Sequence, residues 1–258
     1  MNQKERRLFL IDYLLKDNSN YSSLSIPNDE DKQFVLLRSL MNVRPPYPIG
    51  DDFLSVQDEF LKEEIRKKGI VDFSSLKPVR DGIYLWKGNI TRLKVDVIVN
   101  AANSGLTGCY YPCHGCIDNA IHTYSGVELR LECAQIMRRQ GHEERTGGAK
   151  ITKGYNLPAM YVIHTVGPIV AGEKPREEDD AMLYSYRSSL LLAEERGLKN
   201  IAFCSISTGE YRFPHLEAAR IALKAVEEYR MFSSSPIDVV FDVFSDEDYE
   251  IYERLLET

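Results

Sequence analysis

The sequence predicts an α/β fold: a largely parallel sheet with helices on both faces, preceded by a helical extension. Three observations carry that prediction. From about residue 71 onward, short β-branched and aromatic runs alternate with longer segments of helical period, the pattern of a parallel sheet. Before that point, over residues 1–70, the patterned segments have helical spacing only. And the residues with ligand chemistry crowd into one turn-rich stretch directly after a buried strand, where open α/β sheets place their sites.

In chain order, Leu8, Ile11, Leu14 and Leu15 recur at helical spacing over residues 6–15. Phe34, Leu37, Leu40 and Met41 repeat the pattern over residues 31–43, and Pro45-Pro46-Tyr47-Pro48 breaks it. Residues 51–68 read as a third helix, with Phe53, Val56, Phe60 and Ile65 on one side and Gly69 as its stop. These helices show no chemistry of their own, so the expectation is that they cover an edge or flank of the sheet. Residues 71–258 are assigned to the α/β domain. Ile83-Tyr84-Leu85-Trp86 reads as its first strand, with Tyr84 and Trp86 in the core, and residues 87–91 as a turn. Residues 95–99 form a continuous apolar run of buried-strand length, and Asn100-Ala101-Ala102-Asn103 follow where it should end. Residues 117 to about 140 read as one helix, and Gly147-Gly148 and Gly154 mark a loop. Residues 160–166 are a strand closed by Gly167-Pro168. The charged run 173–180 reads as a solvated loop leading into a helix through Leu183, Leu190 and Leu192. Residues 200–205 are a strand, and Pro214, whose fixed φ suits a first turn, opens a helix to Tyr229. Residues 237–244 are the last strand and 246–256 the last helix.

A hydrophobic fraction of 43% over 258 residues is enough for a real core. Net charge is −7 with no basic tail or stripe, which argues against a general nucleic-acid surface. Asp12 and Lys16 interrupt the apolar residues near the start, so a secretion signal is not expected, and no apolar run is long enough to span a bilayer. Of the five cysteines, Cys109, Cys113 and Cys116 cluster around His114, while Cys133 and Cys204 sit in patterned elements. That distribution points to a reducing, cytoplasmic compartment and a metal loop rather than a disulfide framework.

Four blocks occur in a fixed order: Gly88-Asn89-Ile90-Thr91; residues 95–103, ending Asn100-Ala101-Ala102-Asn103; His164-Thr165-Val166-Gly167-Pro168; and Ser205-Ile206-Ser207-Thr208-Gly209. Together they resemble the macrodomain family, over roughly residue 80 to the end. Cys109-x4-His114-x-Cys116 and the helical extension are similar to the zinc-containing subclass. These are bacterial and fungal protein-ADP-ribose hydrolases, often encoded beside a sirtuin-type ADP-ribosyltransferase. The resemblance implies a three-layer α/β/α fold with a mixed, largely parallel sheet and ADP-ribose in a cleft at the strand ends. It implies that Asn89 and Ile90 meet the adenine, and that Asn103 contacts the distal ribose. Cys116, Ile117 and Asp118 fall at the family's glycine-rich turn and the hydrophobic-Asp pair after it. Ser207, Thr208, Gly209, Glu210 and Tyr211 would wrap the diphosphate with backbone N–H groups. Two positions depart from the pattern. Asn89 stands where a carboxylate is usual, leaving an amide oxygen to accept from the adenine amino group without charge assistance. Arg212 stands where glycine is usual, at a place that favours positive φ.

The chemistry expected is removal of mono-ADP-ribose from a modified protein side chain, most simply an Asp or Glu ester. Cys109, His114 and Cys116 would bind Zn2+, with a fourth coordination position open; Asn103 and Asp118 would be the catalytic residues. A non-catalytic ADP-ribose reader is the competing function. The residues also leave a structural Cys3His site open, with Cys113 as fourth ligand, although adjacent Cys113 and His114 make an awkward chain path. The Cys109-x3-Cys113-x2-Cys116 spacing also matches an iron–sulfur loop, but the downstream blocks do not fit one. Asp118 serves equally as a helix N-terminal charge. His122 and His164 read as packing residues. Ser207-Thr208-Gly209 could be a plain turn, but its place after a buried strand and before a helix favours an anion.

Overall fold

Asn2 starts the first helix with a reciprocal cap: its side chain accepts from the Glu5 N–H, and the Glu5 carboxylate accepts from the Asn2 N–H. The protein is described here from a computed structural model covering residues 1–21, 23–172 and 176–257. Helix α1 (Gln3–Asp17) packs with α2 (Glu30–Val43), capped by Asp29, and α3 (Asp51–Lys68), which ends where Gly69 takes φ +82°. Leu10, Ile11, Leu37, Phe53, Phe60 and Leu61 form their shared core. Each such buried side chain contributes about 1.5–3 kcal/mol. Of the edge or flank expected, they cover a flank: α2 and α3 lie against α4 (Ile117–Ser125) in the helical layer, and α1 packs on α2 and α3.

Among the described residues the main sheet has seven strands in the order β2-β3-β9-β8-β5-β7-β6. They are β2 (Pro78–Arg80), β3 (Ile83–Lys87), β5 (Val97–Ala101), β6 (Ala149–Lys153), β7 (Tyr161–Thr165), β8 (Asn200–Phe203) and β9 (Asp238–Val243). The five central strands are parallel, and β2 and β6 run antiparallel at the two edges, so the sheet is mixed. Short β1 (Val71–Asp72) and β4 (Leu93–Lys94) pair separately. Helices α4 and α5 (Val127–Gln140) cover one face; α6 (Arg176–Glu195), α7 (His215–Phe232) and α8 (Asp246–Glu257) cover the other. Val97, Ile98 and Val99 are completely buried, as a central strand covered on both faces requires.

Several elements differ from the sequence expectation. The helix expected over residues 117–140 is two helices. Gly126 breaks it at φ +100°, and Gln57 of α3 accepts from the Val127 N–H at 2.9 Å, capping the second. The region between Gly148 and Gly154 holds edge strand β6 rather than only loop. Strand β5 runs on through Asn100 and Ala101, which puts the Asn100 side chain inside the protein. Helix α6 begins at Arg176, so residues 176–180 of the charged run are helical; residues 173–175 lie outside the described residues. Glu177, Glu178 and Asp179 fill its first turn, where the helix dipole favours carboxylates. Tyr84 and Trp86 pack half-buried against the core rather than within it.

Candidate active site

The order of the strands creates the cleft. Chain leaving the carboxyl end of β5 travels toward β7, whereas chain leaving the adjacent β8 travels toward β9. The two loops diverge and open a crevice between them, the position at which open α/β sheets bind ligands. Residues 102–116 border it on one side and residues 204–214 on the other. Further along the same edge, past β9, lies the Gly88-Asn89 turn after β3.

The first loop gathers the candidate metal ligands. Ligand atoms of Cys109, His114 and Cys116 all lie within 4.8 Å of one another. His114 turns Nδ1 toward Cys109 Sγ at 3.7 Å and Nε2 toward Glu210 Oε1, across the crevice, at 3.4 Å. Cys113 is excluded from the set. Its Sγ lies 3.3 Å from Ser39 Oγ and donates to the Val35 carbonyl at 3.5 Å, both on α2. The cluster therefore offers three protein ligands, two sulfurs and one nitrogen, a donor set that suits zinc with one position left over. Burial pushes the Cys116 thiol up to about 12, so without a cation this thiol holds its proton. Cys116 also caps α4, accepting from the Asn119 N–H at 3.4 Å.

Gly108 brings this loop close to α4. It holds φ +85°, and a Cβ there would meet the His122 ring at 2.7 Å. The Gly108 carbonyl accepts from Asn103 Nδ2 at 3.2 Å, while Asn103 Oδ1 accepts from the Gly105 N–H at 3.0 Å. Asn103 thus stands half-buried at the crevice, with its amide also 3.4 Å from Asp118 Oδ2. Asp118 is itself buried in the first turn of α4, and its Oδ1 accepts from Asn100 Nδ2 at 2.7 Å. Burial raises its carboxyl to about 6, which the Asn100 bond opposes. Behind it, His122 and His164 are held neutral by burial. His164 bonds Asn100 through Nδ1 at 3.1 Å and Thr152 through Nε2 at 3.0 Å, as expected of a packing residue.

On the other side of the crevice, the backbone N–H groups of Thr208, Gly209, Glu210 and Tyr211 have no acceptor among the described residues. The loop is shaped by Ser207 at φ +62° and Arg212 at φ +57°. Arg212 holds the left-handed conformation that glycine favours, at a cost of roughly 1–2 kcal/mol.

At the far end Asn89 behaves differently from expectation. Its Oδ1 accepts from the Thr91 N–H at 3.0 Å and from Thr91 Oγ1 at 2.7 Å. Both lone pairs are spent on the turn, so only the NH2 donor is left to face a ligand. Ile90 beside it is buried. Sequence reasoning missed Phe244. It follows β9 directly and is 79% exposed, next to Gly88, whose N–H donates to the Val243 carbonyl at 3.0 Å. An exposed aromatic ring at the carboxyl end of a buried strand is a stacking surface. The signal available was a bulky Phe just past an otherwise buried run.

The fold defines a three-layer α/β/α module whose candidate residues gather on the loops at the carboxyl ends of its parallel strands. A family model described as Macro domain matches residues 99–222, and the chain belongs to the macro domain family. It is 55% identical to a protein of Treponema medium named protein-ADP-ribose hydrolase, over 99% of this chain and 100% of that one. A protein of the same name from Staphylococcus aureus (strain MRSA252) is 45% identical over 97% of this chain and 95% of its own. Among solved structures, a Trypanosoma brucei macrodomain in complex with ADP-ribose is 32% identical, with a TM-score of 0.67, covering 85% of this chain and 94% of that one.

Proposed function

We propose that the protein is a hydrolase that releases mono-ADP-ribose from modified protein side chains, with an Asp or Glu ester as the bond cleaved. One observation carries the reading. The three-ligand cluster, Asn103 and Asp118 lie on one loop–helix unit and face a loop of free backbone N–H groups across a single crevice. The diphosphate fits the N–H groups of residues 208–211, and the adenine lies along Gly88-Asn89 and against Phe244. The distal ribose then reaches Asn103, whose amide orients its hydroxyls.

Cys109, His114 and Cys116 would hold zinc, which when bound supplies Lewis-acid polarisation of a ribose or ester oxygen. The remaining work falls to the chain. Water attacks C1'' of the distal ribose as the bond from C1'' to the ester oxygen breaks and the protein side chain leaves as a carboxylate. Asp118 takes the water's proton, a role its raised carboxyl suits, because a general base works best near the operating pH. Asn100 and Asn103 hold that carboxylate toward the crevice. The modified protein would come from a sirtuin-type ADP-ribosyltransferase in the same cytoplasm.

The test is incubation with an ester-linked mono-ADP-ribosylated protein, with and without a chelator. Metal-dependent appearance of free ADP-ribose is the expected result. Tight ADP-ribose binding without release at any zinc loading would instead make the protein a reader. At the base end, Asn89→Asp should tighten ADP-ribose binding about tenfold, the worth of one charge-assisted hydrogen bond to the adenine amino group. Unchanged affinity by calorimetry would remove position 89 from base recognition.

A further inference from the structure

The N-terminal extension reaches into the metal loop. Asn42 of α2, 1% exposed, accepts from the Cys113 N–H at 2.9 Å and donates to Thr123 Oγ1 of α4 at 3.0 Å. Cys113 stands at φ +53°, a conformation that a residue with a Cβ keeps only where its surroundings hold it. Asn42 supplies that hold, and Ser39 and Val35 engage the thiol of the same residue.

Arg38 does the same for the next residue. Its Nη2 donates to the His114 carbonyl at 2.9 Å and to Asn119 Oδ1 at 2.6 Å, and its Nε donates to the same oxygen at 3.2 Å. Asn119 is fully buried and transmits the constraint. Its Nδ2 donates to the Tyr111 carbonyl at 3.0 Å, and its N–H donates to Cys116 Sγ. One guanidinium thereby fixes the backbone of one metal-ligand residue and the helix turn that caps on another. From the opposite side, Arg130 of α5 donates to the carbonyls of Met41, Asn42 and Arg44 at the end of α2. Its Nε donates to the Thr107 carbonyl at the start of the loop. The loop is clamped at both ends to the same helix.

We infer that α2 is a working part of the metal centre, and that Arg38 is a positioning residue that sets His114 against Cys116 through Asn119. The inference rests on the reading of Cys109, His114 and Cys116 as a metal site. A loop with glycines at 108 and 115 has many conformations to lose before its ligands converge. Side chains that hold it in place before metal arrives raise affinity by removing that cost. Arginine is needed rather than lysine because the two acceptors are reached by one planar fork.

The experiment is zinc titration of the full chain in competition with a chromophoric chelator, with cobalt substitution to read ligand geometry. Arg38→Ala should weaken zinc binding about 10–100-fold, the usual effect of removing a ligand's supporting partner. It should also alter the cobalt absorption bands, and leave the ADP-ribose affinity of the chelated protein at the wild-type value. Arg38→Lys should recover little of the loss. Asn42→Ala, which releases Cys113, should move zinc affinity in the same direction, and serves if Arg38→Ala fails to fold. Wild-type zinc affinity and cobalt spectrum in folded Arg38→Ala and Asn42→Ala, alongside lost binding in Cys109→Ala, would overturn the role of α2 while leaving the metal site standing. No zinc binding by the wild-type chain would overturn both.

Discussion

Cys109→Ala and His114→Ala should each lower ADP-ribose release by two or more orders of magnitude, roughly, while the chain still melts cooperatively. The two halves of that expectation have separate causes. Release falls because a site with two protein ligands neither holds the cation well nor fixes its position. The fold survives because the loop is anchored by other bonds. Arg130 still reaches the Thr107 carbonyl, Asn42 still holds Cys113, and Asn119 still holds Tyr111. Neither mutated side chain belongs to a hydrophobic core. In chelator, wild type and variants should melt within a few degrees of one another. In excess zinc only the wild type should gain stability, about 2.7 kcal/mol at a hundred times the dissociation constant. Zinc binding must also displace the proton of Cys116, whose thiol burial holds well above neutrality. Zinc loading, and release with it, should therefore be lost progressively as pH falls. Variants that unfold outright would mark the metal as structural; variants with wild-type turnover would separate the cluster from catalysis.

Much of this arrangement can be read in the residues, and what cannot be read has a common cause. The run Val97-Ile98-Val99 declares a strand because burial on both faces demands apolar residues without interruption. Cys109, His114 and Cys116 stand out as candidate ligands because two cysteines and a histidine lie close together in sequence among cysteines that form no disulfide. Strand β6 is obscured because it lies at an edge and reads Ala-Lys-Ile-Thr-Lys, with lysines that its exposed flank tolerates. The break at Gly126 is obscured because its partner is Gln57, far away in the chain. Asn89 is a similar case. Its residue type allows the oxygen to face a ligand, and only the fold of Thr91 over it shows that the oxygen is already engaged. Arg38, Ser39 and Asn42 look in sequence like the polar side of an amphipathic helix, and their significance depends on what α2 lies against. Local pattern is legible from the chain; partners brought together by the tertiary fold are not.

Asp118→Asn and Asn103→Ala should separate catalysis from binding and from stability. Asparagine keeps the shape of Asp118 and removes its basicity, so turnover should fall about 10²–10⁴-fold, with ADP-ribose affinity little changed. Stability should not fall with it. Burial raises the Asp118 carboxyl from 3.8 to about 6, so the folded chain binds this proton more tightly than the unfolded chain does. The resulting destabilisation is absent below pH 3.8, grows between 3.8 and about 6, and is fully present above. A neutral amide escapes it. In chelator at pH 7.5 this relief, up to the order of 3 kcal/mol, is offset by the Asn100 or Asn103 donor that a single amide oxygen leaves unpaired. The variant should therefore melt close to wild type, and should lose stability relative to wild type as pH falls toward about 3.5. Asn103→Ala should lose turnover through the ribose contact, and only about 1 kcal/mol of stability through its bonds to Gly105 and Gly108. If Asp118→Asn turns over at the wild-type rate, Asp118 is a buried helix-end acid and the base lies elsewhere. If Asn103→Ala loses stability in proportion to activity, that residue holds the loop rather than the ribose.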